Sequence, residues 1–316
     1  MSKIAFVFPG QGSQFVGMGA ELAKDSAKAG EVFAQADAAL GFSLSSLCWE
    51  GPEEELRLTA NTQPAILTMS VAVREALREK QPGFEPAFVA GHSLGEYSAL
   101  VAAGAMSFAD AVTTVRLRGQ FMEEAVPAGQ GAMAAVLGMD REALHAVCEA
   151  VSSQGHPVQL ANLNSPGQIV ISGSAEGVQL ASEQAKQNGA KRVMPLNVSG
   201  PFHSSLMAPA ADKLARVLDG ISIKDAGIPV VANVTAKPVS KASQIKESLI
   251  RQVASPVLWE DCVTYMLGEG VTTFVEIGPG KVLAGLIKKI APKEVQIFAV
   301  QDMNGLTELL DGGVLC

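Results

Sequence analysis

The chain has 316 residues, with 24 Lys and Arg against 32 Asp and Glu and a formal net charge of −8. That balance argues against nucleic acid as a partner, because affinity for a phosphate backbone comes mostly from Lys and Arg displacing counterions. With 48% hydrophobic and only 18% charged residues, much of the chain must form an interior, which excludes global disorder and points to one large α/β domain or a large domain with a smaller insert.

Ile4 to Phe8 reads as a buried first strand, stopped by Pro9-Gly10-Gln11-Gly12. The run is shorter than the ~7–15 apolar residues of a signal peptide, so a cytoplasmic protein is expected. Helical segments follow to about Lys80, the longest starting near Thr62 with Ile66, Leu67, Met69, Val73 and Leu77 at helical spacing. Phe88-Val89-Ala90 is the next strand, followed by Gly91-His92-Ser93-Leu94-Gly95 and a small-residue helix through Ala103. From Gly131 the rhythm changes. Strands are expected at Ala132 to Leu137, Val158 to Asn162, Gln168 to Ser172 and Arg192 to Val198, with helices at Asp140 to Ser152 and Ala175 to Asn188. That βαββαβ order is the ferredoxin-like split unit. A helix after Pro201 and strands at Val230-Val231, Thr273 to Ile277 and Gln296 to Val300 then complete the larger unit.

The expected fold is α/β: a large hydrolase-like domain with a mainly parallel sheet flanked by helices, from residues 1–128 and 199–316, and an inserted ferredoxin-like domain at 129–198. The charge-free stretch from Val193 to Ala211 is interrupted by Pro195, Pro201 and Pro209. No window supplies the ~20 mainly apolar residues of a spanning helix, so no membrane association is expected. Cys48, Cys148, Cys262 and Cys316 form no CxxC pair and are expected to be reduced thiols, without disulfides or a metal site.

Gly91-His92-Ser93-Leu94-Gly95 is a G-x-S-x-G between a strand and a helix. The pattern builds a nucleophile elbow, which exposes the serine hydroxyl and turns the next backbone N–H toward a developing oxyanion. Its plainer reading is a helix N-cap. A serine needs a base, and the chain has only His92, His145, His156 and His203. His145 on an amphipathic helix and His156 in a turn read as surface residues, and His92 reads as a packing residue beside the nucleophile. His203 sits at a loop-to-helix junction, where residue type alone leaves it open between base and ordinary loop histidine. Arg118, in Arg116-Leu117-Arg118, reads on its own as a surface charge.

Other motifs fade. Gly10-x-Gly12 has Phe15 where a dinucleotide loop needs glycine, and Gly278-Pro279-Gly280-Lys281 lacks Walker spacing. Glu53-Glu54-Glu55 and Glu123-Glu124 read as solvated helix faces.

Five stretches carry a closer likeness: Phe8-Pro9-Gly10-Gln11-Gly12-Ser13-Gln14, Gly91 to Tyr97, Arg116-Leu117-Arg118-Gly119, Asn162 to Gln168, and Gly200-Pro201-Phe202-His203-Ser204. In this order they resemble the motifs of the bacterial malonyl-CoA:acyl carrier protein transacylases of dissociated fatty acid synthesis. The resemblance implies Ser93 as nucleophile, His203 as general acid/base and the backbone N–H groups of Gln11 and Leu94 as oxyanion hole. It implies Arg118 as partner of the malonyl carboxylate and the Gln252 carbonyl as the group orienting the histidine. Gln63, His92, Asn162 and Phe202 are implied to line the pocket. The implied substrates are malonyl-CoA and holo acyl carrier protein, with no permanently bound cofactor and coenzyme A arriving as a thioester.

The alternatives are a serine esterase or thioesterase with the same elbow, a trans-acting polyketide acyltransferase, and a non-catalytic carrier-docking module. No histidine follows His203 and no HGGG loop is present, against the order of ordinary α/β-hydrolases. An acidic enzyme meeting acidic partners needs a local basic rim, for which Lys186, Lys191, Arg192, Lys281, Lys288 and Lys289 are the candidates.

Overall fold

The structure, a computed structural model, describes residues 3–313, so Cys316 lies outside it. The described residues form ten strands: β1 (Lys3–Phe8), β2 (Phe88–Gly91), β3 (Gly131–Leu137), β4 (Val158–Ser165), β5 (Gln168–Ser174), β6 (Arg192–Pro195), β7 (Val230–Ala232), β8 (Lys237–Val239), β9 (Val271–Ile277) and β10 (Gln296–Val300). They form a six-stranded sheet in the order β10-β9-β1-β2-β7-β8 and a four-stranded sheet in the order β4-β5-β3-β6. The large sheet is parallel except for β8, which runs antiparallel to β7. The small sheet is antiparallel throughout, with the middle-strand pairing of a ferredoxin-like unit.

The apolar run of β1 is explained by burial on both faces. Phe6 and Phe8 join Val89 and Val275 in one core, while Ala5 and Val7 join Ala90 and Phe274 in another. Alternate side chains therefore serve opposite sides of one strand. A third core, around Val136, Leu144, Ile171 and Ala181, lies between the small sheet and the helices Arg141–Ser152 and Ala175–Gln187.

The long helix starts at Thr59, earlier than its apolar spacing implies, and runs to Lys80. Glu123 makes that start possible: its carboxylate accepts the Thr59 N–H at 2.7 Å, so it is a cap and not simply part of a solvated face. Pro64 inside the helix cannot donate to the Ala60 carbonyl, and Arg116 Nη1 donates there instead at 3.4 Å. The strand expected through Val198 ends at Pro195. The Leu196 N–H still reaches the Met133 carbonyl at 3.0 Å, but the Val198 N–H curls back to the Leu196 carbonyl at 3.1 Å and the pairing stops there. After Pro201 a 3-10 turn, Ser205–Met207, precedes the helix Ala208–Asp219. Strand β8 was not anticipated, and at three residues it carries too little periodicity to read.

Cys48, Cys148 and Cys262 are buried and free. No helix among the described residues is long and apolar enough to cross a membrane, and none of their His, Cys, Asp and Glu residues form a group able to hold a metal ion.

Candidate active site

Strand β2 stops at Gly91, the helix Gly95–Ala102 starts four residues later, and Ser93 between them sits at φ 51°. The flanking glycines are a steric requirement. A Cβ on Gly91 would lie 1.9 Å from the Gly95 carbonyl carbon, and one on Gly95 would lie 2.1 Å from the Phe8 carbonyl oxygen. The loop after β1 is just as close, since a Cβ on Gly10 would meet the His92 carbonyl oxygen at 2.4 Å. This contact brings the Gln11 loop against the elbow. Neither the Gln11 nor the Leu94 backbone N–H has an acceptor among the described residues, and both residues line the cleft above Ser93. Two free donors beside a serine are what an oxyanion requires.

His203 also adopts a left-handed backbone, φ 58°. Its Nε2 lies 2.7 Å from Ser93 Oγ, and its Nδ1 lies 2.9 Å from the Gln252 carbonyl oxygen. A carbonyl can only accept, so Nδ1 carries the proton and Nε2 is left as the acceptor for the serine O–H. Burial, reinforced by the charge of Arg118, pushes the imidazole pKa down to about 3. The ring is therefore neutral at physiological pH, with Nε2 free to accept.

Arg118 projects from the helix Phe108–Glu124 and is only 1% exposed, so it is not the surface charge its local sequence suggests. Its Nη1 donates to Gln63 Oε1 at 2.7 Å, and its Nη2 donates to Gln252 Oε1 at 3.0 Å and to Ser93 Oγ at 3.1 Å. Its buried Nε has no partner. A guanidinium this close to the nucleophile, with donor capacity to spare, is placed to hold a carboxylate on an acyl group carried by Ser93.

These groups meet in a cleft of about 130 Å³ walled by Gln11, Gln63, His92, Ser93, Leu94, Arg118, Asn162, Phe202 and His203. Gln252 is not on its wall; fully buried, it works from behind. His92 reaches Asn164 Oδ1 through Nε2 at 2.8 Å and tilts against Trp259 while facing the cleft. His145 lies exposed near Glu149, and His156 lies beside Glu176, both remote from the cleft lining.

Other residues complete the site. Met122, Met133, Leu196 and Val198 complete the cleft wall. Beneath the elbow, Asn233 Oδ1 accepts the Ser93 N–H at 2.8 Å and its Nδ2 donates to the Gly91 carbonyl at 2.7 Å. The carboxylate of Glu96 accepts the Asn233 N–H and the Gln252 side-chain amide, each at 2.9 Å. A carboxylate in the otherwise uncharged stretch Glu96-Tyr97-Ser98-Ala99-Leu100-Val101 is the available clue, because charge in a buried helix needs a partner.

Residues 5–304 match the family model described as "Acyl transferase domain". The chain belongs to the acyl transferase family. It is 62% identical over 302 residues to the malonyl CoA-acyl carrier protein transacylase of Bacillus subtilis, covering 96% of this chain and 94% of that one. The transacylase of the same name from Escherichia coli K12 is 51% identical, with 92% and 93% covered. Among solved structures, the acyl-carrier-protein S-malonyltransferase of Burkholderia pseudomallei superposes with a TM-score of 0.94 at 49% identity, covering 98% of this chain and 99% of that one. A malonyl-transacylase solved in complex with its type II PKS acyl-carrier protein gives a TM-score of 0.94 at 47% identity, with 98% and 100% covered.

Proposed function

We propose that this member of the family transfers a malonyl group from coenzyme A to the phosphopantetheine thiol of acyl carrier protein through a malonyl-serine intermediate, supplying fatty acid synthesis. The observation that carries this reading is the placement of the Arg118 guanidinium 3.1 Å from Ser93 Oγ. The relatives' names and the 62% identity to one of them support it.

In the first half-reaction Ser93 Oγ attacks the thioester carbonyl while its proton passes to His203 Nε2. The carbonyl oxygen becomes an oxyanion held by the Gln11 and Leu94 N–H groups, and as the C–S bond breaks, His203 returns the proton to the leaving thiol. The second half runs in reverse, with His203 taking the proton of the incoming pantetheine thiol. Gln252 stands where a triad carboxylate would, offering His203 a neutral carbonyl. The malonyl carboxylate pairs with Arg118, whereas an acetyl group leaves that buried charge without a partner. Coenzyme A enters as a substrate thioester, and the reaction as written calls on no resident cofactor.

Residues 129–198 are read as the inserted small domain and the rest as the catalytic one, with the cytoplasm as the location that suits buried free thiols and a coenzyme A substrate. Lys186, Lys191, Arg192, Lys281, Lys288 and Lys289 are exposed, and none enters an ion pair among the described residues. Their charge is thus available to an acidic carrier and to the phosphates of coenzyme A.

Intact-protein mass after mixing with malonyl-CoA, followed by separate chases with holo carrier protein and with water, tests the reading. A malonyl adduct that is absent from Ser93→Ala and discharged quickly only by the carrier is expected. Rapid discharge by water alone would make the protein a hydrolase. Chases with fatty-acid and polyketide carriers separate the two pathways.

A further inference from the structure

Among the described residues Glu96 is the one carboxylate buried against this site, and the acyl-transfer steps do not use it. It is 2% exposed, and the two hydrogen bonds it accepts come from the Asn233 backbone and the Gln252 amide. The same Gln252 side chain accepts from Arg118 Nη2 at 3.0 Å through its Oε1. Carboxylate, amide and guanidinium thus form one chain, with the negative and positive charges at its ends. Arg118 itself touches no carboxylate among the described residues.

This arrangement is unusual for a buried arginine. An unpaired guanidinium in a low-dielectric interior is costly, and a direct carboxylate contact is the ordinary remedy. Contact would also occupy the fork that a substrate carboxylate needs. Placing the opposite charge one amide away offsets the buried cation and leaves its donors open toward Ser93.

We propose that Glu96 sets how tightly Arg118 holds an acyl carboxylate, acting as its counter-charge through the Gln252 amide, and that it makes carboxylate recognition proton-linked. The inference rests on the reading that Arg118 receives the malonyl carboxylate. A substrate carboxylate arriving at Arg118 is opposed by ionised Glu96 and not by protonated Glu96. Binding must therefore favour the protonated form and draw in a proton.

The surroundings place this linkage near neutrality. Burial pushes the Glu96 carboxyl up to about 7, against the pull of its two hydrogen bonds and of Arg118. The titratable groups around it are Arg118, Tyr97 and Cys262, with His203 on the far side of Gln252. Burial drives the Tyr97 and Cys262 protons off only at much higher pH, and His203 titrates at about 3. Glu96 is left as the group of this cluster that changes charge around pH 7.

The test measures binding of malonyl-CoA and acetyl-CoA to Ser93→Ala protein by calorimetry between about pH 6 and pH 8. Acetyl-CoA cancels any titration of the coenzyme's own phosphates. A coupling of about one pKa unit, tenfold at its limit, gives about a fivefold loss of malonyl relative to acetyl affinity as pH rises across this window. In Ser93→Ala/Glu96→Gln protein the ratio is expected to stay flat at its low-pH value. A slope that survives Glu96→Gln overturns the proposal. Should that variant fail to fold, proton uptake decides: in two buffers of different ionisation heat near pH 7, malonyl-CoA must take up more protons than acetyl-CoA, and equal uptake overturns the idea. Ser93→Ala/Arg118→Ala separates the layers. If it leaves the malonyl preference intact, the carboxylate reading of Arg118 fails; if it abolishes the preference while the slope persists in Glu96→Gln, only the role of Glu96 fails.

Discussion

On the cleft side of the Ser93 elbow the His203 imidazole and the Arg118 guanidinium reach Ser93 Oγ, and two backbone N–H groups without an acceptor among the described residues face the same cleft, whose wall includes the apolar side chains of Met122, Met133, Leu196 and Val198. On the interior side the pattern is inverted. There Glu96, Asn233 and Gln252 form a continuous hydrogen-bonded set in which Asn233 takes the Ser93 N–H and Gln252 donates to the Ser93 carbonyl at 3.0 Å. The cleft side keeps donors free so that reacting atoms can use them. The interior side spends its donors to hold Ser93 in a left-handed backbone that a serine would not otherwise adopt. Reactivity and geometry are thus assigned to opposite faces of a single turn, and substitutions on the two faces should fail in different ways.

The largest difference is expected at Arg118. Arg118→Ala should reduce malonyl transfer far more than acetyl transfer, lowering their kcat/KM ratio by about 10²- to 10⁴-fold, as read by single-turnover acylation with each thioester. Equal loss of both would place Arg118 with the interior set. Asn233→Ala removes two bonds to the elbow backbone and leaves Arg118 in place. It should slow malonyl and acetyl transfer alike, by about 10- to 100-fold, and lower stability by about 1–3 kcal/mol through the unpaired Ser93 N–H. Denaturant unfolding alongside the two kinetic assays checks this, and a selective malonyl defect would erase the distinction between the faces. Smallest is the effect outside the cleft. Lys191→Glu with Arg192→Glu should raise the KM for carrier protein several-fold at low salt while sparing self-acylation by malonyl-CoA; an unchanged KM removes both from the docking surface.

The two faces also differ in how well the sequence reveals them. Ser93 and Leu94 are legible because the sharp turn leaves a glycine signature around them; the scarcity of histidines only shortens the choice of base, and the roles of His203 and Gln11 come from the resemblance. The fold class was equally readable, since Ile4 to Phe8 of β1 is an apolar run that must be buried on both faces. The interior set has no such spacing rule. Asn233 is 140 residues from the Ser93 N–H that it accepts, and Gln252 is 156 from Glu96. Glu123, read as part of a solvated face, caps a helix that begins 64 residues earlier in the chain. The strand expected at Arg192 to Val198 falls short for a local reason: its apolar pattern persists, but the Val198 N–H turns back to the Leu196 carbonyl and leaves the ladder.

Strand β4 adds a mechanical link. Its Leu163 N–H donates to the Val257 carbonyl at 2.9 Å, and the Val257 N–H donates to the Ala161 carbonyl at 2.8 Å, so the outer edge of the small sheet is zipped to the segment that follows Gln252. The carbonyl that steers His203 and the backbone that tethers the small sheet are five residues apart on one piece of chain. Swinging the small sheet outward means unzipping those two bonds and tugging on the histidine's rudder. Displacing Leu196 and Val198 from the cleft wall, by contrast, breaks neither bond to Val257.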